Sequence, residues 1–226
     1  MNFSELSNEQ LDKLWKEFYE DDKNRFAQNV VARNDPLEAC LSRLAIESNN
    51  HIFNHKVDEV KPVTSQRSSG RCWIFAVLNA MRIPFVKGME LDELEFSQSH
   101  LFFWDKIERA NYLLNTLVSV YQRTPKEAPD GRLVSFLLTE AANDGGQWDM
   151  VANLIEKHGV MPKQCFPETV SCENSRQMNR LLRSKLREFA RDLYEAVSKE
   201  SSKEAINEMI HSQMQTIYRY LNTRCN

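Results

Sequence analysis

With 226 residues, 42% of them hydrophobic, and only 6 glycines and 7 prolines, the chain has the composition of a folded protein with a sizeable core. Its 29 basic and 32 acidic side chains leave a net charge of −3, a balance that singles out no partner and does not favour a dedicated nucleic-acid binder. The N-terminal stretch MNFSELSNEQ lacks the basic and apolar regions of a signal peptide, and the longest apolar run, residues 73–78, is far too short for a membrane span.

In chain order, Ser7 and Gln10 form a capping box ahead of Leu11, Leu14, Trp15 and Phe18, which predicts a first helix to about residue 20. Asp35 as N-cap and Pro36 at the first helical position open a second apolar-periodic stretch, NDPLEACLSRLAIES. Residues 52–71 are polar, broken by Pro62 and Gly70, and read as a loop with room for a short strand. A helix starts near Cys72 and runs until Pro84 disturbs it. A long helix over about 97–122 follows, then a turn at Pro129, Asp130 and Gly131 and an apolar helix to Leu138. A double-glycine turn leads to a helix over about 147–158 that stops at Gly159. Leu182, Leu186, Phe189, Leu193 and Val197 predict an amphipathic helix over 175–199. Ser201 with Glu204 reads as another capping box, and Ile206, Ile210, Met214, Ile217 and Leu221 carry the pattern to the end. A shift in composition near Cys172 marks the expected boundary between a core region and a helical appendage.

Five cysteines, Cys40, Cys72, Cys165, Cys172 and Cys225, are odd in number, widely spaced and free of any CxxC pair. That pattern argues against a zinc or redox site and for free thiols in a reducing, cytosolic setting.

Cys72 lies in QRSSGRCWIF, where a Ser/Gly approach runs into an apolar helix. A thiol attacks as its thiolate, and a helix N-terminus favours that negative charge. Arg71 adds a charge, of little effect if exposed. Gln66, six residues earlier, could aim its amide donors at the same space as the Cys72 backbone N–H, giving an oxyanion hole. The plain alternative is a core thiol packed beside Trp73.

The frame Ser69-Gly70-Arg71-Cys72-Trp73 is similar to the signature of papain-like cysteine peptidases. Together with EFSQSHLFFWDKIERANYLL, DGRLVSFLL and NDGGQWDMVANLIEKHGVMPKQCFPE, it resembles the bleomycin hydrolase family, the intracellular branch of those peptidases. The resemblance is strong over about 25–170 and weaker towards both ends. It implies an α+β papain-like fold, of which this mostly α-helical chain holds the helical half. The expected parts are an N-terminal helical arm over 1–60, the helical half of the catalytic domain over 61–172, and a truncated helical insertion over 173–226.

The resemblance also assigns roles. Cys72 matches the nucleophile, Gln66 the oxyanion-hole glutamine and Trp73 the aromatic packed behind the nucleophile. Asn143, Asp144, Gly145 and Gly146 match the turn that walls the substrate cleft. In secreted relatives a disulfide joins the positions held here by Ser69 and Asn143. The implied activity is a cysteine aminopeptidase forming an acyl-enzyme, without metal or cofactor. Its implied substrates are peptides, bleomycin-type amides and homocysteine thiolactone, and its implied assembly is a homohexamer, with no membrane association.

The catalytic His and the Asn of an N-S-W motif have no match here, so the chain is expected to be roughly the N-terminal half of such an enzyme. His158 reads as a helix C-cap and His211 as a residue on a polar helix face. The alternatives are an inactive helical interaction module and a nucleic-acid site on Arg176, Arg180, Arg183, Lys185, Arg187 and Arg191, a row diluted by Glu188, Asp192 and Glu195.

Overall fold

A computed structural model describes residues 5–49, 52–56, 61–123 and 131–225. Two compact units divide the chain at residue 57.

In the first unit, α1 (Asn8–Glu20) begins at the expected capping box, with the Ser7 N–H donating to Gln10 Oε1 at 2.8 Å and the Gln10 N–H to Ser7 Oγ at 3.3 Å. A helix not foreseen from the sequence, α2 (Asp22–Val31), follows at once, because the Asp21 carboxylate accepts the Lys23 N–H. The stretch read as one helix after Asp35 is two, α3 (Pro36–Ala39) and α4 (Arg43–Ser48). Ser42 causes the break: its hydroxyl accepts the Ala45 N–H and so starts a new helix. None of these four helices holds a buried residue.

The second unit is built around α6 (Gln98–Arg123), on which α5 (Cys72–Gly88), α7 (Arg132–Glu140), α8 (Trp148–His158), α10 (Arg176–Ser198) and α11 (Lys203–Cys225) all pack. A short α9 (Val170–Glu173) precedes α10. Among the described residues there is no strand, only one isolated antiparallel bridge between Phe96 and Pro162. The expected short strand within 52–71 is absent from the described part of that loop. Pro129 and Asp130 of the expected turn lie outside the described residues.

Helix α5 does not stop at Pro84 but continues to Gly88. A proline removes one N–H, here the partner of the Ala80 carbonyl. Both Ala80 and Pro84 are exposed, so water replaces the lost bond. Gly159 ends α8 as expected, with φ at 68°, the left-handed region that glycine enters without strain. The cap of α11 falls one residue later than expected: Ser202 Oγ accepts the Ala205 N–H.

Helices α10 and α11 share one continuous core with α6. Leu182, Leu186, Phe189 and Leu193 are buried as their spacing requires, while Val197 is only half-buried and Ala196 takes the interior place. Along α11, Met214 is half-buried and Gln213 points inward instead, its amide donating to the Phe189 carbonyl at 3.5 Å. Replacement of fully buried Leu186 by Ala is therefore expected to cost about 2–5 kcal/mol. Urea unfolding monitored by circular dichroism checks this, and a loss below about 0.5 kcal/mol would detach α10 from the core.

Candidate active site

Cys72 is the first residue of α5 and is exposed. Its N-cap, Arg71, makes no side-chain cap bond, so no side-chain oxygen of the cap competes for the first-turn N–H groups beside the thiol. The loop leading to it is held tightly. Gln66 Nε2 donates to the Ser69 carbonyl at 2.8 Å and Ser69 Oγ donates back to the Gln66 carbonyl at 2.6 Å. An amide nitrogen carries two hydrogens, so one is committed to the loop. The Ser68 N–H reaches the Glu173 carbonyl at 2.9 Å.

Arg71 differs from its sequence expectation. It is fully buried, not exposed, and its guanidinium lies 5.2 Å from the Phe75 ring centre and 5.3 Å from that of Phe102. It donates to Ser69 Oγ at 2.8 Å and to Glu168 at 3.0 Å. Its charge is therefore matched by Glu168, and the residue acts as a structural rivet under the loop that leads to Cys72. Nothing in the local sequence marks Glu168, 97 positions away, as its partner.

The Asn143–Gly146 turn is organised by Asp144. One carboxylate oxygen accepts the Gly70 N–H at 3.1 Å and the Ser175 hydroxyl. The other accepts Lys106 Nζ at 2.8 Å and Asn179 Nδ2 at 2.6 Å. Its backbone carbonyl accepts the Trp73 indole N–H at 2.7 Å. Lys106, with no exposed side-chain surface, also donates to the carbonyls of Asn143 at 2.7 Å and Ala142 at 3.3 Å, and sits 4.8 Å from the Phe102 ring centre. One carboxylate thus ties the approach loop, the glycine turn, α6 and the start of α10 together.

Burial alone would raise the Asp144 pKa, but the Lys106 charge and the bonds from Lys106, Ser175 and Asn179 outweigh it and bring it to about 2. For Lys106 the balance tips the other way: burial lowers its pKa despite Asp144 and Asp105. The ammonium is the more deeply enclosed of the two, so burial weighs more on it than on the carboxylate. What holds it there is a complete set of acceptors, the carboxylate and two carbonyls, for its three N–H bonds. Next to it, Arg109 grips both oxygens of Asp105 at 2.8 and 2.9 Å and donates to the Gly145 carbonyl.

The two glycines do different things. A Cβ on Gly146 would lie 2.6 Å from the Trp73 indole, whereas one on Gly145 would meet nothing within 4 Å. Gly146 lets the turn lie flat on the indole, and Gly145 leaves open space above it. A Cβ on Gly70 would lie 2.8 Å from the Asp144 Cβ, so the approach loop and the turn touch backbone to side chain.

Cys72, Gly70 and residues 142–147 line one cleft of about 910 Å³, together with Arg109, Glu140, Met150 and the first two turns of α10. Neither Gln66 nor Trp73 is among the residues that line it. No histidine among the described residues lines this cleft. His158 does not cap α8: its ring stacks on Trp104 at 4.0 Å and bonds Glu108 at 2.9 Å. His100 accepts the Trp104 indole N–H at 3.1 Å, and burial lowers its pKa. His211 is exposed on α11, and His51 lies outside the described residues. All five cysteines are free, with Cys172 and Cys225 buried. Among the described residues no group of three metal-ligating side chains converges, and no helix is long and apolar enough to cross a membrane.

The model of the Peptidase C1-like family matches residues 5–225. Bleomycin hydrolase of Homo sapiens is 47% identical over 220 residues, covering 97% of this chain and 48% of its own length. Aminopeptidase C of Streptococcus thermophilus is 36% identical, covering 96% of this chain and 47% of its own. The crystal structure of PepW from Lactobacillus rhamnosis HN001 is similar with a TM-score of 0.91 and 32% identity, over 98% of this chain and 49% of that one. The chain spans about half the length of these relatives, and its mainly α-helical fold is the corresponding portion of a papain-like fold.

Two outcomes follow from the turn. Gly146→Ala is expected to destabilise by about 1–3 kcal/mol, since the indole must move, and Gly145→Ala by far less; thermal unfolding of the pair checks this. The folded Asp144 carboxyl binds its proton less tightly than the unfolded one, near pH 3.9. Its contribution, about 2 kcal/mol, is therefore fully present above about pH 4 and is lost as the pH falls towards 2. Urea midpoints across that range should fall more steeply for the parent than for Asp144→Asn, and parallel profiles would contradict the assignment.

Proposed function

The chain belongs to the Peptidase C1-like family, and we propose that it supplies the nucleophile side of a cysteine aminopeptidase of the bleomycin hydrolase type. The observation that carries this reading is an exposed thiol at the first position of α5, in a cleft also lined by Gly145, on which a Cβ would meet nothing within 4 Å.

In this reading the Cys72 thiolate attacks the carbonyl carbon of a substrate amide. The negative oxygen of the tetrahedral intermediate accepts the Cys72 backbone N–H and the second amide hydrogen of Gln66. Collapse expels the amine, which takes a proton from a general acid, and leaves the acyl group on sulfur as a thioester. Water then releases the acid and restores the thiol. The imidazole that serves as base and acid, and the amide that orients it, come from polypeptide outside these 226 residues. Asn143 and Asp144 shape the cleft, Gly145 admits the substrate backbone, and Trp73 backs the nucleophile.

Residues 61–172 are then the helical half of the catalytic domain, 1–60 an arm, and 173–226 the first part of an insertion docked on that half. Peptide N-termini, bleomycin-like amides and homocysteine thiolactone are the substrates of this reading, a hexamer its assembly and the cytoplasm its location. The similarity to bleomycin hydrolase of Homo sapiens supports the choice of type.

In the protein carrying this chain, hydrolysis of an aminoacyl-arylamide is expected to fall by about 10⁴-fold or more in Cys72→Ala. Gln66→Ala should cost about 10²–10³-fold in kcat. Undiminished hydrolysis by Cys72→Ala contradicts the reading. The 226-residue chain alone is expected to show no turnover that depends on Cys72.

A further inference from the structure

Helix α10 presents a row of arginines to the cleft that holds Cys72. Arg176, Arg180 and Arg183 all line it. Their spacing of four and three residues puts them on one face. None of the three forms an ion pair among the described residues, and Arg183 Nε is buried with no hydrogen-bond partner. Further along the same helix Lys185 pairs with Glu188 at 2.8 Å, and Arg191 with Asp192 at 3.2 Å and Glu195 at 3.8 Å, while Arg187, one turn beyond Arg183 on the same face, forms no ion pair among the described residues either. Three of the four unpaired arginines of α10 therefore line the cleft.

The rest of the cleft does not neutralise it. Asp144 is matched by Lys106, and Arg109 by Asp105. That leaves one carboxylate, Glu140, which accepts the Asn143 amide at 2.8 Å, against three guanidinium groups. An excess of two positive charges in a walled cleft is an anion-attracting field.

We propose that the arginine wall of α10 recognises acidic side chains of a peptide lying in the Cys72 cleft. This rests on the reading of that cleft as a substrate cleft. The dimensions favour an extended peptide. At 1.5 Å per residue the row is about 10.5 Å long, with about 6 Å between Arg176 and Arg180. Side chains on one face of an extended chain recur every ~6.6 Å. Acidic residues at alternate positions therefore meet Arg176 and Arg180, each able to grip a carboxylate with two N–H groups, with Arg183 about 4.5 Å further along the row. A duplex would need a broad basic surface, and the paired Lys185 and Arg191 withhold it.

The test is binding. Fluorescence anisotropy on the Cys72→Ala chain compares a labelled pentapeptide with Glu at its second and fourth positions with the same peptide carrying Gln there. The acidic peptide is expected to bind at least about tenfold more tightly at low salt, with the advantage shrinking at high salt. The triple variant Arg176→Gln, Arg180→Gln, Arg183→Gln should abolish the preference, and the corresponding triple Lys variant should retain most of it. On the parent chain the acidic peptide should slow iodoacetamide labelling of Cys72, which locates it in the cleft. Equal affinity for the two peptides, an undiminished preference in the triple Gln variant, or tighter binding of a DNA duplex than of the acidic peptide overturns the proposal. The peptidase reading is judged separately by Cys72-dependent hydrolysis, so either can fail without the other.

Discussion

The site depends on one enclosed ion pair, Lys106 with Asp144. A buried ammonium is costly unless every N–H bond has an acceptor, and here the three acceptors are a carboxylate and two successive carbonyls of a single turn. The turn is therefore folded around the ammonium. The carboxylate so fixed has oxygen capacity left for the Gly70 amide and for two side chains at the start of α10. From that point the geometry spreads outward. Gly70 sets the approach to Cys72, the Asp144 carbonyl anchors the Trp73 indole, and the indole in turn requires Gly146 to be bare. In secreted papain-like enzymes a disulfide is expected to join the two positions held here by Ser69 and Asn143. In this chain the neighbouring residues Gly70 and Asp144 make that connection without sulfur.

Much of this was legible in the residues, for identifiable reasons. Features set by local chemistry read correctly: the Ser7/Gln10 box, the glycine stop at Gly159 and the four-three spacing of α10. Each is decided within one or two turns of helix. The place of Cys72 at the head of α5 was legible because small residues precede an apolar run there. Local chemistry also explains the miss at α11, where Ser201 and Ser202 are adjacent candidates for one cap, and α2 went unread although Asp21 caps it. Pro84 misled because the cost of a missing N–H depends on whether its orphaned carbonyl is buried, and no local pattern states that.

What the sequence hid was long-range charge. Arg71 reads as an exposed cation beside a thiol, yet it is buried and matched to Glu168. Lys106 gave no sign at all, lying mid-helix among apolar and polar residues alike. Asp144 was singled out only as part of a cleft wall, while its larger role is to hold four segments in register. The same separation of near and far charge explains α10: as a sequence it is a basic helix diluted by acids, and in three dimensions the acids pair with Lys185 and Arg191 and leave Arg176, Arg180 and Arg183 unpaired along the cleft.

The most direct test of this account is hydrogen exchange at the Trp73 indole N–H in Asp144→Ala, measured by NMR. The indole bonds the Asp144 backbone carbonyl, which the substitution leaves in place, so only movement of the turn can expose it. The account predicts exchange at least about tenfold faster than in the parent, with amides in the centre of α6 unchanged. An indole that exchanges at the parent rate would show that the turn keeps its shape without the carboxylate, and would contradict the central role given to the Lys106–Asp144 pair.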